Sequence, residues 1–354
     1  TRHAVLDLTH AHVKDVTMSL ERSSALTLRP AQLSDAELLT AMLNADSERI
    51  FGVRQHDVDN LLTEWRTPGF DLDRDTRVLV DSAGTPAGYA EVWDIDPPHV
   101  RIWAWGLVDP DRRGHGIGSA LVAWQEERGR AALAQAPAES RVILRQTVST
   151  RDESGLELLR SAGYAAIRRN YRMRIDLNGS VPEPVWPSGV DLRTFHADRD
   201  LVPMVEAVRS AFRDHWGYVE SPLDSDVADW RHVITEEKSF DAGLWFLATA
   251  GDDIVGVSLC SAMEPEDPDL GYVNTLGVLR PWRRRGIALA LLHHSFRELA
   301  RRGKRRVALG VDASSLTGAV RLYERAGMHV DRERVLFEKE LRPGRDLTTQ
   351  RLEG

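Results

Sequence analysis

The chain has 354 residues, 42% of them hydrophobic and 28% charged, with a formal net charge of −8. Single cores stop growing beyond roughly 250–300 residues, so two domains are expected. The acidic balance speaks against a nucleic-acid surface. No apolar run approaches the roughly 20 residues of a membrane helix, and no charged-then-apolar leader opens the sequence, so the expectation is a cytoplasmic protein away from membranes. Cys260 is the only cysteine, which excludes an intramolecular disulfide and a zinc site of paired thiolates; no metal site is expected. It lies in the apolar run 254–261, where a buried, inert thiol is expected.

Residues 1–24 read as a weakly patterned tail. A strand is predicted at 25–30, helices at 36–43 and 57–65, and two strands (78–80 and 87–93) around the turn Asp81-Ser-Ala-Gly84. The strand 100–108 runs into Val108-Asp-Pro-Asp-Arg-Arg113-Gly114-His-Gly116-Ile-Gly118. Beyond it Ile117, Ala120, Leu121 and Trp124 fall at helical steps. A strand at 142–148, a helix at 155–161 and final strands at 165–177 complete the first unit. Prolines and glycines crowd 179–188, which reads as a linker.

The order then repeats. A strand at 190–193, helices at 201–212 and 225–234, strands at 244–250 and 254–261, and a strand at 272–278 lead to Val278-Leu-Arg-Pro-Trp-Arg283-Arg284-Arg285-Gly286-Ile287-Ala288. A helix with Ile287, Leu291, Leu292, Phe296 and Leu299 on its buried face follows, then a strand at 306–311, a helix at 316–326 and a closing strand at 328–341. The domains are therefore expected at 25–178 and 189–342, with 343–354 as a tail. Each is an α/β unit, a mixed sheet with helices on both sides.

A strand, a glycine-rich basic turn and a helix make a phosphate cradle. Glycine lets the backbone approach, the first amides of the helix are free, and the positive end of its dipole favours an anion. Arg113-x-x-Gly116-x-Gly118 and Arg283-x-x-Gly286-x-Ala288, with Leu158-Leu-Arg-Ser-Ala-Gly-Tyr164 and Leu322-Tyr-Glu-Arg-Ala-Gly-Met328 downstream, resemble the GNAT acetyltransferase family in both halves, as a tandem two-domain form. The resemblance implies acetyl-CoA as acyl donor. In the second half the amides of Arg284 to Ala288, after Arg283, would hold its pyrophosphate, and Val278 and its neighbours the pantetheine. Val108, Arg113, Gly114, Gly116 and Gly118 are the counterparts in the first half, which holds a second CoA or stands empty. Ser315 takes the place of an Asn that many members use against the cofactor.

The halves differ where the family places its acid. Tyr323, implied to protonate the leaving thiolate, is matched by Leu159, so catalysis is expected in the C-terminal half. The strand Gly271-Tyr272-Val273 lacks the Glu that many members use as base, and an unperturbed phenol near ~10 is a poor substitute. Glu264, Glu266, His215 and Glu220 are the candidates, Glu264 first and His215 second. The aromatic segment 212–220 is expected to wall the acceptor pocket. Asp214, Glu220, Asp224, Asp226, Glu264, Glu266 and Asp269 would attract a small cationic amine. The expectation is an acetyl-CoA-dependent N-acetyltransferase, monomeric or homodimeric. The alternatives are a non-catalytic acyl-CoA-binding regulator or an acyltransferase with another donor.

Overall fold

Polar turns and caps set the element boundaries. The Asp81 carboxylate accepts the amides of Ala83 and Thr85 (3.0 and 2.9 Å) and folds the hairpin between β2 (Thr76–Val80) and β3 (Pro86–Trp93). Asp57 caps α2 (Val58–Glu64), and Gly52, in the left-handed region, ends α1 (Ala36–Phe51). The computed structural model describes residues 26–179, 181–262, 267–315 and 317–350.

The chain divides into two compact units, Thr1–Ile167 with Val335–Leu347, and Arg168–Arg334 with Thr348–Gly354. The first contains β1 (Thr27–Arg29), α1, α2, the one-turn α3 (Leu72–Asp75), β2, β3, β4 (Arg101–Val108), α4 (Ile117–Ala131), β5 (Val142–Ser149) and α5 (Glu153–Ser161). The second contains most of β6 (Ala165–Asp176), then β7 (Asp191–Thr194), α6 (Ala197–Phe212), α7 (Leu223–Glu236), β8 (Trp245–Ala250), β9 (Asp253–Ser261), β10 (Leu270–Val278), α8 (Ile287–Arg301), β11 (Arg306–Asp312) and α9 (Ala319–Arg325). The final strand β12 (His329–Arg342) begins in the second unit and ends in the first.

Strand order is β1-β2-β3-β4-β5-β12 in the first unit and β6-β11-β10-β9-β8-β7 in the second. The central pairs β4/β5 and β10/β11 are parallel, and β1 to β4 and β7 to β10 are joined by antiparallel pairings. Helices cover both faces in the second unit. On one face Gly256 is open to Ile287 and Leu291 of α8, and on the other Gly277 is open to Ala211, where an added Cβ would stand 2.9 Å from the Ala211 side chain. Cys260 is fully buried between strands and helix, its thiol pushed up to about 11 by burial, which makes it inert at neutral pH.

The division differs from a cut at 179–188. Residues 170–176 of β6 pair antiparallel with 306–312 of β11, completing the second sheet. The end of β12 completes the first, where Glu338 meets Arg141 (2.6 Å) and Arg145 (3.1 Å), and Lys339 meets Glu126 and the Ala162 carbonyl at the end of α5 (2.7 Å). The two closing strands were expected to remain each in its own half. A duplicated chain presents two similar alternating strands to two similar sheet edges, so period-2 patterning does not say which strand takes which edge. Ion pairs of this kind do.

Candidate active site

In the second unit β10 leads through a short 3-10 turn, Arg280–Trp282, to Arg283, Arg284, Arg285 and Gly286. Arg284 and Gly286 both have positive φ, 63° and 91°. For Arg284 this conformation costs about 1 kcal/mol, and the first unit has Gly114 there (φ 81°). Alternating left-handed residues point successive amides the same way, which is an anion nest. Helix α8 makes its first bond from the Ala290 amide to the Gly286 carbonyl (3.0 Å), leaving the amides of Ile287, Ala288 and Leu289 without a partner in the helix. An added Cβ on Gly286 would meet nothing within 4 Å, so the nest is open.

The arginines divide the work. Arg283 turns away from the nest: its guanidinium contacts Asp214 (2.6 Å), the Ala211 carbonyl (2.9 Å) and the Val278 carbonyl (3.0 Å), tying the end of α6 to the turn. Arg113 does the same in the first unit with Asp46 and Asp152 (2.7 and 2.9 Å). Both are anchors of the turn. Arg284 and Arg285 are exposed, with Arg285 stacked 4.7 Å over the Trp282 ring. The Leu158 side chain fills the place a Cβ on Gly118 would take (2.8 Å), so the smallness of Gly118 serves α4–α5 packing. Ser315, on the loop before α9, pairs its hydroxyl with Thr317 (3.0 Å).

Strands β10 and β11 pair only as far as Val273–Leu309, although β10 runs on to Val278 and β11 to Asp312. A bulge between Val273 and Thr275 in the pairing with β9 turns β10 away at the same place. The result is a wedge between parallel strands that opens beside the nest. Tyr323 of α9 belongs to the core cluster that contains Val273, Val278 and Leu309. It is 7% exposed, and burial pushes its phenol up to about 12. Its main-chain carbonyl accepts the Met328 amide (2.9 Å), while its hydroxyl has no protein hydrogen-bond partner among the described residues. It is a neutral donor at every working pH.

Residues 213–222 join α6 to α7. His215 packs at a tilt against Phe212 (4.4 Å between centroids, 51° between planes), and its Nδ1 is buried without a hydrogen-bond partner among the described residues. Burial first, then the nearby Arg283, lower its pKa against the opposing pull of Asp214 and Asp312. It is therefore neutral and basic at pH 7. The Tyr218 hydroxyl is likewise buried without a partner; sequence reasoning passed over it, the only signal being the aromatic richness of the loop. Glu220 is exposed and paired with Arg213 (3.1 Å) and Arg209 (3.6 Å). Glu264 and Glu266 lie outside the described residues. Asp214 has Arg283, Asp226 has Arg209, and Asp269 lies 3.8 Å from Arg305 and Arg306, so most of the acidic set is already neutralised by arginine.

The first unit has the same turn, with φ of 81° at Gly114 and 80° at Gly116. Its β4/β5 pairing also stops early, at Trp103–Arg145. Here the gap is filled. Gln125 of α4 donates to the Trp105 carbonyl (2.6 Å), and Gln146 of β5 donates to Gln125 (3.1 Å) and to the Tyr164 hydroxyl (3.3 Å), all three side chains being buried. The matching positions in the second unit are Ser295, Gly310 and Met328. The pairing of β3 with β4 runs without a bulge. On the opposite face Trp65 donates to Tyr89, and Tyr89 and Trp93 donate to the buried Glu91 carboxylate (2.7 and 2.9 Å). Leu159 is buried where Tyr323 stands.

Residues 39–146 and 205–328 each match the family described as "Acetyltransferase (GNAT) family". The chain belongs to the GNAT acetyltransferase family. It is an N-acetyltransferase, built as two GNAT units. The mycothiol acetyltransferase of Streptomyces griseus is 31% identical over 262 residues, covering 74% of this chain and 79% of the relative. That of Streptomyces scabiei is 33% identical over 241 residues (68% and 72%). Among solved structures, a GCN5-related N-acetyltransferase from Sphaerobacter thermophilus superposes with a TM-score of 0.76 at 36% identity, over 91% of this chain and 98% of that one. A tandem GNAT protein from the clavulanic acid biosynthesis pathway shares the fold at 17% identity, with a TM-score of 0.69 over 90% and 99% of the chains. The nest, the wedge and the free phenol fit acetyl-CoA, the donor characteristic of this fold.

Proposed function

We propose that the second unit transfers the acetyl group of acetyl-CoA to the amine of a small molecule, and that the first unit does no chemistry. Tyr323 carries this reading: its neutral phenol, without a protein partner among the described residues, belongs to the core cluster that flanks an open wedge, and the first unit offers Leu159 beside a filled one. Acetyl-CoA supplies the acetyl group as a thioester. The amides of Ile287, Ala288 and Leu289, with Arg284 and Gly286 shaping the nest, hold the diphosphate. The unpaired edge of β10 beyond Val273 offers backbone groups to the pantetheine amides.

His215 Nδ1 takes one proton from the incoming ammonium, which frees the nitrogen lone pair to attack the thioester carbonyl. As the N–C bond forms and the C–S bond breaks, the electron pair leaves on sulfur. Tyr323 donates its hydrogen bond there. A thiolate titrating near ~8.5 does not strip a phenol of about 12 outright, so Tyr323 passes its proton only as it regains one from the acylated nitrogen. The name of the relatives puts an amine-bearing small thiol first among acceptors to try. Asp214, Glu220 and Asp226 are each paired with an arginine, which weakens net charge as a ground for choosing cations.

The test is CoA release from acetyl-CoA across a panel of small amines, including aminothiols, for wild type and Tyr323→Phe. The expected result is a kcat about 10² lower in the variant with KM for acetyl-CoA within about threefold. Equal turnover removes Tyr323 from the acid role. Binding without release for any amine turns the reading to a non-catalytic acyl-CoA-binding protein.

A further inference from the structure

We infer that residues 348–350 are a positioning strap for the acceptor loop 213–222, an inference that rests on the assignment of catalysis to the second unit. After 335–347 have served the first unit, the chain returns to the second at Thr348. The Gly217 amide donates to the Thr349 carbonyl (2.7 Å), and the Thr349 amide donates to the Tyr218 carbonyl (2.9 Å). The Thr349 hydroxyl donates to the Arg213 carbonyl (3.1 Å), and the Trp216 indole donates to Gln350 Oε1 (2.8 Å). Four bonds to two residues, Thr349 and Gln350, thus span a stretch of six.

The other side of the loop is anchored to the wedge. Arg168 lies 4.4 Å over the Trp216 ring and donates to Asp312 Oδ2 and the Ser314 carbonyl (both 3.1 Å), at the end of β11. Trp216 is held on one face and at its nitrogen. His215 and Tyr218 flank Trp216 and Gly217, and among the described residues they carry the two buried polar atoms of the loop that lack a partner. Buried polar atoms are nearly always satisfied, so a pair of orphans on one loop marks where a ligand completes the bonding. Their placement depends on the backbone at 216–218. The strap holds that backbone without itself offering a group to the reaction, and a loop freed from it has to be ordered again by the acceptor.

Three variants test the strap: deletion of 348–354, Thr349→Pro, which removes both the donated amide and the donated hydroxyl, and Thr349→Ser, which keeps every bond. KM and kcat for the amine, the acetyl-CoA Kd by calorimetry, and thermal unfolding are measured on each. Deletion and Thr349→Pro are expected to lower kcat/KM for the amine about tenfold. The acetyl-CoA Kd stays within about twofold, because Arg283 keeps its contacts to the Ala211 and Val278 carbonyls, and Thr349→Ser matches wild type. Unchanged kcat/KM in both weakened variants overturns the inference. So does a loss of acetyl-CoA affinity and thermal stability in step with it, which marks a merely structural segment. If the deletion fails to fold, the point variants decide. A Gly286→Glu control in the same series that retains turnover shows instead that the catalytic assignment is at fault.

Discussion

The two wedges start from one design and end with different contents. Beyond Trp103 the first is closed by Gln125, Gln146 and Tyr164, which satisfy one another and the Trp105 carbonyl that the splayed strands leave over. Beyond Val273 the second has Ser295, Gly310 and Met328 at those places, a bulged β10, and a tyrosine whose hydroxyl has no hydrogen-bond partner among the described residues. A splay exposes backbone polar groups that must find partners. One unit provides them from its own side chains, and on the proposed function the other leaves them to a ligand. The turns alone do not separate the units; the filling of the gap does.

Glutamate at the turn glycines gives the largest effect. Gly286→Glu forces a left-handed residue and puts a carboxylate into the open nest, so acetyl-CoA binding and turnover should fall beyond detection by calorimetry and CoA release. Gly116→Glu should leave kcat within about twofold, since the second unit is untouched. The opposite pattern would move catalysis to the first unit.

Next is the pH profile. On the proposed mechanism the neutral form of His215 acts, and its pKa is lowered, so kcat/KM should be flat from pH 7 upward and fall as pH drops through a value below about 6.5. The Tyr323 phenol, at about 12, adds no alkaline limb in the working range. His215→Gln should lower kcat/KM about 10²-fold and abolish the acid limb. A limb that survives in the variant assigns the base elsewhere.

The smallest effect is expected for Gln125→Ala. It leaves the Trp105 carbonyl without its side-chain partner and the Gln146 amide with Tyr164 alone, which costs about 1–3 kcal/mol in thermal or urea unfolding. Turnover per folded molecule should hold. Loss of turnover without loss of stability would give the first wedge a part in the chemistry.

Much of this was legible before any coordinates. Asp81-Ser-Ala-Gly84, the helical spacing from Ile287 to Leu299 and the strand–turn–helix at Gly116 and Gly286 depend on neighbours a few residues apart, and the structure has them as expected. Short α3 escaped because four residues carry no period. Arg283 was read as a cofactor residue because basic, glycine-rich turns hold phosphate. Its bond to Asp214 crosses from another helix and leaves no trace in spacing.

Local order along the chain therefore determined the duplication, the two nests, the family and the Tyr323–Leu159 difference, because turns, caps and amphipathic faces are written within a few residues. Tertiary structure alone decided which closing strand completes which sheet, that the first wedge is filled, that His215 and Tyr218 hold orphaned atoms, and that residues 348–350 belong to the second unit. Each of these depends on groups far apart in sequence finding or lacking a partner. Burial and hydrogen-bond satisfaction are properties of the packed molecule, and no pattern along the chain encodes them.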